Sequence, residues 1–142
     1  MAFDIEALMD VWTQAYATTA DAVQAFRTLY HDPVVVNGAP ISAEDLVGRA
    51  SGLQSTFQNM HREILDVCDA GSKVTVAFRL GGHQIGPLRT SVGMLPPTGQ
   101  QIWLRVIDIL TIVDGRISDI VMVADELGAL AAAGAVTLPD PA

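Results

Sequence analysis

From Gln100 to Leu130 the chain reads QQIWLRVIDILTIVDGRISDIVMVADELGAL. Two long runs rich in Val, Ile and Leu meet at Val113-Asp114-Gly115-Arg116, and Asp-Gly between β-branched runs is among the strongest short-range hairpin signals. The spacing predicts strands over 100–113 and 116–125. Alternation puts Leu104, Val106, Asp108 and Leu110 on one face and Trp103, Arg105, Ile107 and Ile109 on the other. Asp108 therefore interrupts an otherwise aliphatic face. An ionised carboxylate there is costly unless something compensates it, so burial is expected to push its pKa up toward the range in which it can both take and give a proton.

Upstream of this hairpin the period is helical. Ile5, Leu8, Met9, Trp12 and Tyr16 recur at helix spacing behind Asp4 as N-cap, predicting a helix over 4–18 with Trp12 and Tyr16 on its inner face. A second helix is expected over 20–30, with Val23, Phe26 and Leu29 inward, stopped by Asp32-Pro33. A short strand over 34–37 ends in the turn Asn37-Gly38-Ala39-Pro40. Ser42-Ala43-Glu44-Asp45 then reads as a capping box opening a third helix, whose Leu46, Ala50, Leu53 and Phe57 share a face. Strands follow over 61–69 and 72–83, with a long connection over 84–99 before the final hairpin. The order α-α-β-α-β-β-β-β, without internal repeat, predicts an α+β fold: a curved antiparallel sheet wrapped around the N-terminal helices as a cone or barrel with a central pocket. Residues 1–142 are expected to form a single domain.

Composition narrows the function classes. Half of the 142 residues are hydrophobic, yet no apolar run approaches the roughly 20 residues that a membrane helix needs. The surplus apolar surface is expected to line a cavity for a small hydrophobic substrate and to form a subunit interface. If helices cover only the concave face, the convex face of the sheet becomes a homodimer contact. A formal net charge of −8 excludes the basic footprint of a nucleic-acid binder and disfavours anionic membranes. The acidic start MAFDIEALMD lacks the pattern of a signal peptide, so a cytoplasmic location is expected. Cys68 stands alone and reads as a packed strand residue. His31, His61 and His83 lack metal-ligand spacing, no Gly-rich phosphate loop follows a strand, and no metal or cofactor is expected.

His83, in Gly81-Gly82-His83-Gln84-Ile85-Gly86, lies at a strand end where the glycines let the backbone bend and aim a side chain, which makes it the catalytic partner expected for Asp108. Trp12, Tyr16, His61 and Leu104 are candidates to line the substrate pocket. Arg105 is expected to pair with Asp125 on the adjacent strand. A carboxyl and an imidazole in an apolar pocket suit enolisation, aldol cyclisation or acid-assisted epoxide opening.

From His61 onward the chain resembles the SnoaL-like polyketide cyclases, within the larger group sharing the nuclear transport factor and ketosteroid isomerase cone. The resemblance rests on the order and spacing of Gly82-His83-Gln84-Ile85-Gly86, Leu95-Pro96-Pro97-Thr98-Gly99, Val113-Asp114-Gly115-Arg116-Ile117 and Asp125-Glu126-Leu127-Gly128-Ala129-Leu130, with Gly134 beyond. It implies cofactor-free ring closure of a polyketide ester by an aldol step in a bacterial secondary-metabolite pathway. In the family's ring-closing members the acid/base aspartate lies on the last strand, in a slot that here holds Ile120-Val121-Met122. Where those members have a histidine on the preceding strand, this chain has Asp108. Either the carboxyl has moved to the neighbouring strand, with Met122 left as a pocket residue, or the aldol chemistry has been lost.

The leading expectation is a cyclase or isomerase of polyketide-like substrates working through Asp108 and His83. An epoxide hydrolase-like enzyme of the same fold, and a non-catalytic protein that binds or templates an apolar ligand, are the alternatives.

Overall fold

The computed structural model describes residues 2–141. Helix α1 (Ile5–Thr13) starts at Asp4, whose Oδ1 accepts from the Ala7 amide at 3.0 Å. It stops well short of residue 18. The side-chain amide of Gln54, from the third helix, donates to the carbonyls of Trp12 and Gln14 and so takes up acceptors left open at the helix end. Thr18 then caps α2 (Thr19–Leu29), accepting from the Asp21 amide at 3.1 Å. The chain passes directly into β1 (Tyr30–Val36), which starts before the expected 34, and turns through Asn37-Gly38 into β2 (Ala39–Ile41). Helix α3 (Ala43–Thr56) begins at Ser42, the cap expected from the sequence. Phe57, expected on that helix, is instead the first residue of β3 (Phe57–Asp69).

Strand β4 (Lys73–Gln84) follows. The stretch expected to be a plain connection contains a small hairpin, β5 (Leu88–Thr90) and β6 (Gly93–Leu95). Then come β7 (Gln101–Val113) and β8 (Arg116–Ala124), joined by Asp114 and Gly115, both at positive φ as a tight hairpin turn demands. A last helix, α4 (Glu126–Ala132), lies beyond the predicted elements. Its cap is Asp125, whose Oδ1 accepts from the Gly128 amide at 2.8 Å. That commitment corrects the expected ion pair with Arg105: no such pair forms among the described residues, and the two meet through the Asp125 amide and the Arg105 carbonyl.

The main sheet has the order β2-β1-β8-β7-β4-β3. Its neighbours run antiparallel except β1 and β8, which are parallel, so the sheet is mixed and mostly antiparallel. It does not close into a barrel, and β2 and β3 are its edges. The architecture is α+β, as expected. A continuous core forms where Leu8, Phe26 and Leu46 of the helices meet Val34, Val76, Ile102, Leu110 and Ile117 of the sheet. Cys68, expected to be packed, is exposed near the end of β3. No helix among the described residues is long and apolar enough to cross a membrane.

Candidate active site

Between the helices and the inner face of the sheet lies a cavity of about 990 Å³. Register explains why it carries a carboxyl. Asp108 stands opposite Val76 on β4 and Met122 on β8, and its own strand adds Val106 and Leu110 to the same face. None of these neighbours offers a side-chain donor. Asp108 Oδ1 is buried and makes no hydrogen bond. Removal from water, which penalises the charged form, pushes the carboxyl up to about 7.

A second polar group faces the same cavity. Tyr30, at the junction of α2 and β1, is only 2% exposed, and its hydroxyl accepts from Trp12 Nε1 at 2.8 Å. Its ring stacks on Phe26 with centroids 5.6 Å apart, and Trp12 and Phe26 meet edge to face at 5.4 Å. Burial holds the phenol well above its usual range; the Trp12 hydrogen bond opposes this, and the charge of Asp108 adds to it. Sequence reasoning passed over Tyr30 because it fell at the predicted end of a helix. The signal was the spacing of Val23, Phe26 and Tyr30, which keeps all three on the inner side of that helix.

Of the residues expected at the site, Trp12, Leu104, Asp108 and Met122 line the cavity together. Tyr16 lies beyond the end of α1 and lines a separate cavity of about 150 Å³ among the three N-terminal helices. His83 is exposed, pairs with Gln101 across β4 and β7, and does not line the large cavity. His83 therefore stands outside the pocket in which it was expected to orient a substrate carbonyl beside Asp108. Alternation turns Gln84 inward instead, fully buried. The preceding glycines serve close packing rather than aiming the histidine: a Cβ at Gly81 would collide with the Ile102 carbonyl, and one at Gly82 would lie 2.6 Å from the Gln58 carbonyl. His61, opposite Gly81 in the ladder, is likewise exposed and away from the cavity. Among the described residues no group of His, Cys, Asp and Glu has the arrangement to hold a metal ion.

Part of the cavity wall is built by the segment after β4. Gln84 Nε2 donates to the carbonyls of Gly86, Leu95 and Pro96, and its Oε1 accepts from the amide and hydroxyl of Thr98. The hairpin tip is tied to α4, where Glu126 accepts from the Ser91 amide and hydroxyl at 2.8 and 2.7 Å. Leu88, Arg89 and Met94 of this hairpin line the cavity.

The SnoaL-like polyketide cyclase family matches residues 6–133. The chain belongs to this family. No curated protein is similar enough in sequence to match it. Among solved structures it is similar to TsrD from Streptomyces laurentii, at 21% identity and a TM-score of 0.74, covering 93% of this chain and 96% of that one. It is also similar to a SnoaL-like polyketide cyclase from Agrobacterium tumefaciens, at 12% identity and a TM-score of 0.68, covering 87% and 89%. A third is a protein with a ketosteroid isomerase-like fold from Catenulispora acidiphila in complex with trimethylamine, at 19% identity and a TM-score of 0.65, covering 92% and 91%. At these identities the likeness establishes the SnoaL-like fold alone.

Proposed function

We propose that this SnoaL-like protein is a cofactor-independent cyclase or isomerase of a polyketide-like hydrophobic substrate, with Asp108 as the group that moves the proton. The observation that carries this reading is a half-buried carboxyl whose inner oxygen, Oδ1, is fully buried without a hydrogen-bond partner, facing a large and mostly apolar cavity. The ionised carboxylate takes a proton from the carbon next to a substrate carbonyl, leaving a carboxylic acid and an enolate. The enolate carbon attacks a second carbonyl of the same molecule, and Asp108 returns its proton to the new alkoxide. No atoms are gained or lost. A group poised near pH 7 suits both halves of that cycle, because neither its acid nor its base form is scarce.

The register of the family's aspartate slot, filled here by Met122, supports a transposed carboxyl. Met122 and Asp108 are direct cross-strand partners, and such pairs hold their Cβ atoms about 4.5–5.5 Å apart. Moving the acid from one strand to the other shifts it by little more than one strand spacing while keeping it on the same face. The outer face of β7 and β8 supports a homodimer: Ile107, Ile109, Val121 and Val123 form an exposed aliphatic patch, with Val123 68% exposed.

The test is incubation of the purified protein with polyketide methyl esters and epoxides, read by product mass, with Asp108→Asn alongside. A product of unchanged mass, or one short of a water, that the variant fails to make is the expected result. Water gain reassigns the protein to epoxide hydrolysis, and full turnover by the variant removes Asp108 from the mechanism.

A further inference from the structure

We infer that Tyr30 is a second catalytic residue, whose hydroxyl donates a hydrogen bond to the carbonyl oxygen of an enolisable substrate, with Trp12 as its positioning residue. The inference rests on the reading of Asp108 as the proton-transfer group, and it names the other half of that chemistry. A base that removes a carbon-bound proton creates negative charge on the neighbouring oxygen, and a donor fixed in advance at that oxygen is commonly the largest single contribution to such catalysis.

Tyr30 has the geometry for this. A phenol carries one O–H donor and acceptor lone pairs, whereas an indole N–H can only donate. In the contact at 2.8 Å the proton of the bond must therefore belong to Trp12, and the tyrosine oxygen accepts. The phenolic hydrogen is left over, and it makes no hydrogen bond among the described residues. A nearly buried O–H without a protein acceptor is left to whatever occupies the cavity, and a substrate oxygen that displaces solvent there takes up that donor. The oxygen cannot swing to find one elsewhere. Stacking on Phe26, itself braced by Trp12, fixes the ring through residues of α1, α2 and β1.

The two polar groups divide the work. Burial and the Asp108 charge make the phenol hold its proton more tightly than usual, so Tyr30 stabilises the enolate oxygen by hydrogen bonding without surrendering the proton. Asp108 alone carries the proton between carbon and oxygen. The ligand class follows: a largely apolar molecule with a carbonyl flanked by an acidic C–H, bound with its oxygen on Tyr30. Planar hydroxyl-bearing molecules that imitate the enol should bind better than the same skeletons without the oxygen.

The experiment titrates 2-naphthol and naphthalene into the wild-type protein, Tyr30→Phe and Trp12→Phe, and reads the affinity ratio of the two probes by fluorescence. A hydrogen bond worth about 1–3 kcal/mol gives a ratio in the wild type about 5-fold to 150-fold above that in Tyr30→Phe. Trp12→Phe should lower the ratio by less, since it frees the donor without removing it. A merely structural role would move both affinities together and leave the ratio unchanged. Should Tyr30→Phe not fold, the ratio in Trp12→Phe decides. An unchanged ratio overturns the assignment, as does a wild-type protein that binds neither probe. Naphthol gives up no carbon-bound proton, so this result is separate from the Asp108→Asn turnover, and either assignment can fail alone.

Discussion

The two faces of the β7–β8 ladder are written in the same alphabet of Val, Ile and Leu and end in opposite environments. On the inner face Val106, Leu110 and Ile120 are buried around Asp108. On the outer face Ile107, Ile109, Val121 and Val123 lie open in the single chain. The difference is one carboxyl and what lies across from it. Hydrophobicity alone would make either face a contact surface, but a lone ionisable group set into an apolar wall changes its chemistry. On the outer face the charged groups, Arg105 and Asp119, stand exposed to water at the margins of the aliphatic patch, so no ionisable group there is driven toward neutrality and the apolar area between them has only a partner surface to gain.

Each part of that contrast can be broken. The largest effect is expected for Asp108→Asn, which keeps shape and removes the base: turnover should fall by roughly 10²–10⁴-fold, measured as initial rate, with substrate binding largely kept. For the same reason kcat/KM of the wild type should rise with pH through about 7 and then level off, since the ionised form removes the proton.

The same group should tie stability to pH. Its folded pKa is raised above its ordinary 3.8, so between about pH 4 and 7 the folded chain holds a proton that the unfolded chain has released. Stability should therefore fall as pH rises through that window, by about 4 kcal/mol at most at about 1.36 kcal/mol per unit, and denaturant titrations of Asp108→Asn should lack that slope. Asp32 works in the opposite sense and outside this window. The Ala43 amide and Arg27 lower its pKa, so its contribution is present above its ordinary value and is lost only in stronger acid.

On the outer face, if the proposed dimer forms there, Ile107→Lys with Val123→Lys should convert it into monomers, weakening association about a hundredfold or more by placing unpaired charges in the contact. Sedimentation reads this directly. Melting at low protein concentration should fall only modestly, because both side chains already face water and the cost is the repulsion of two lysines set opposite each other.

The smallest effects sharpen the inside–outside contrast on β4. Gln84→Ala leaves several backbone groups without their buried partner and should cost about 1–3 kcal/mol in denaturant unfolding. Its exposed neighbour should matter far less: His83→Ala is expected to stay within about 0.5 kcal/mol and to leave turnover unchanged.

What the sequence made legible follows the strength of its local signals. The final hairpin, its turn at Asp114-Gly115 and the inward aim of Asp108 were all readable, because strand alternation admits only two faces and one of them held the carboxyl. The helix caps at Asp4 and Ser42 were readable for the same local reason. Tyr30 was hidden because α2 passes into β1 without a loop, so no punctuation marked where helical period gave way to strand period. His83 was misplaced by a sound rule applied to the wrong cause, as its glycines answer to the Ile102 and Gln58 carbonyls. The β5–β6 hairpin was hidden because short strands broken by proline and glycine carry too few residues to show a period, and the side chain that organises them is a glutamine in the preceding strand.

That glutamine has a consequence for how the protein can change over generations. Gln84 gathers the start and the finish of the segment between β4 and β7 onto one amide, while the hairpin between them lines the cavity through Leu88, Arg89 and Met94. Under the proposed function the segment is an exchangeable cartridge: substitutions within it are expected to reshape one wall of the cavity with little disturbance to the strands that hold Asp108.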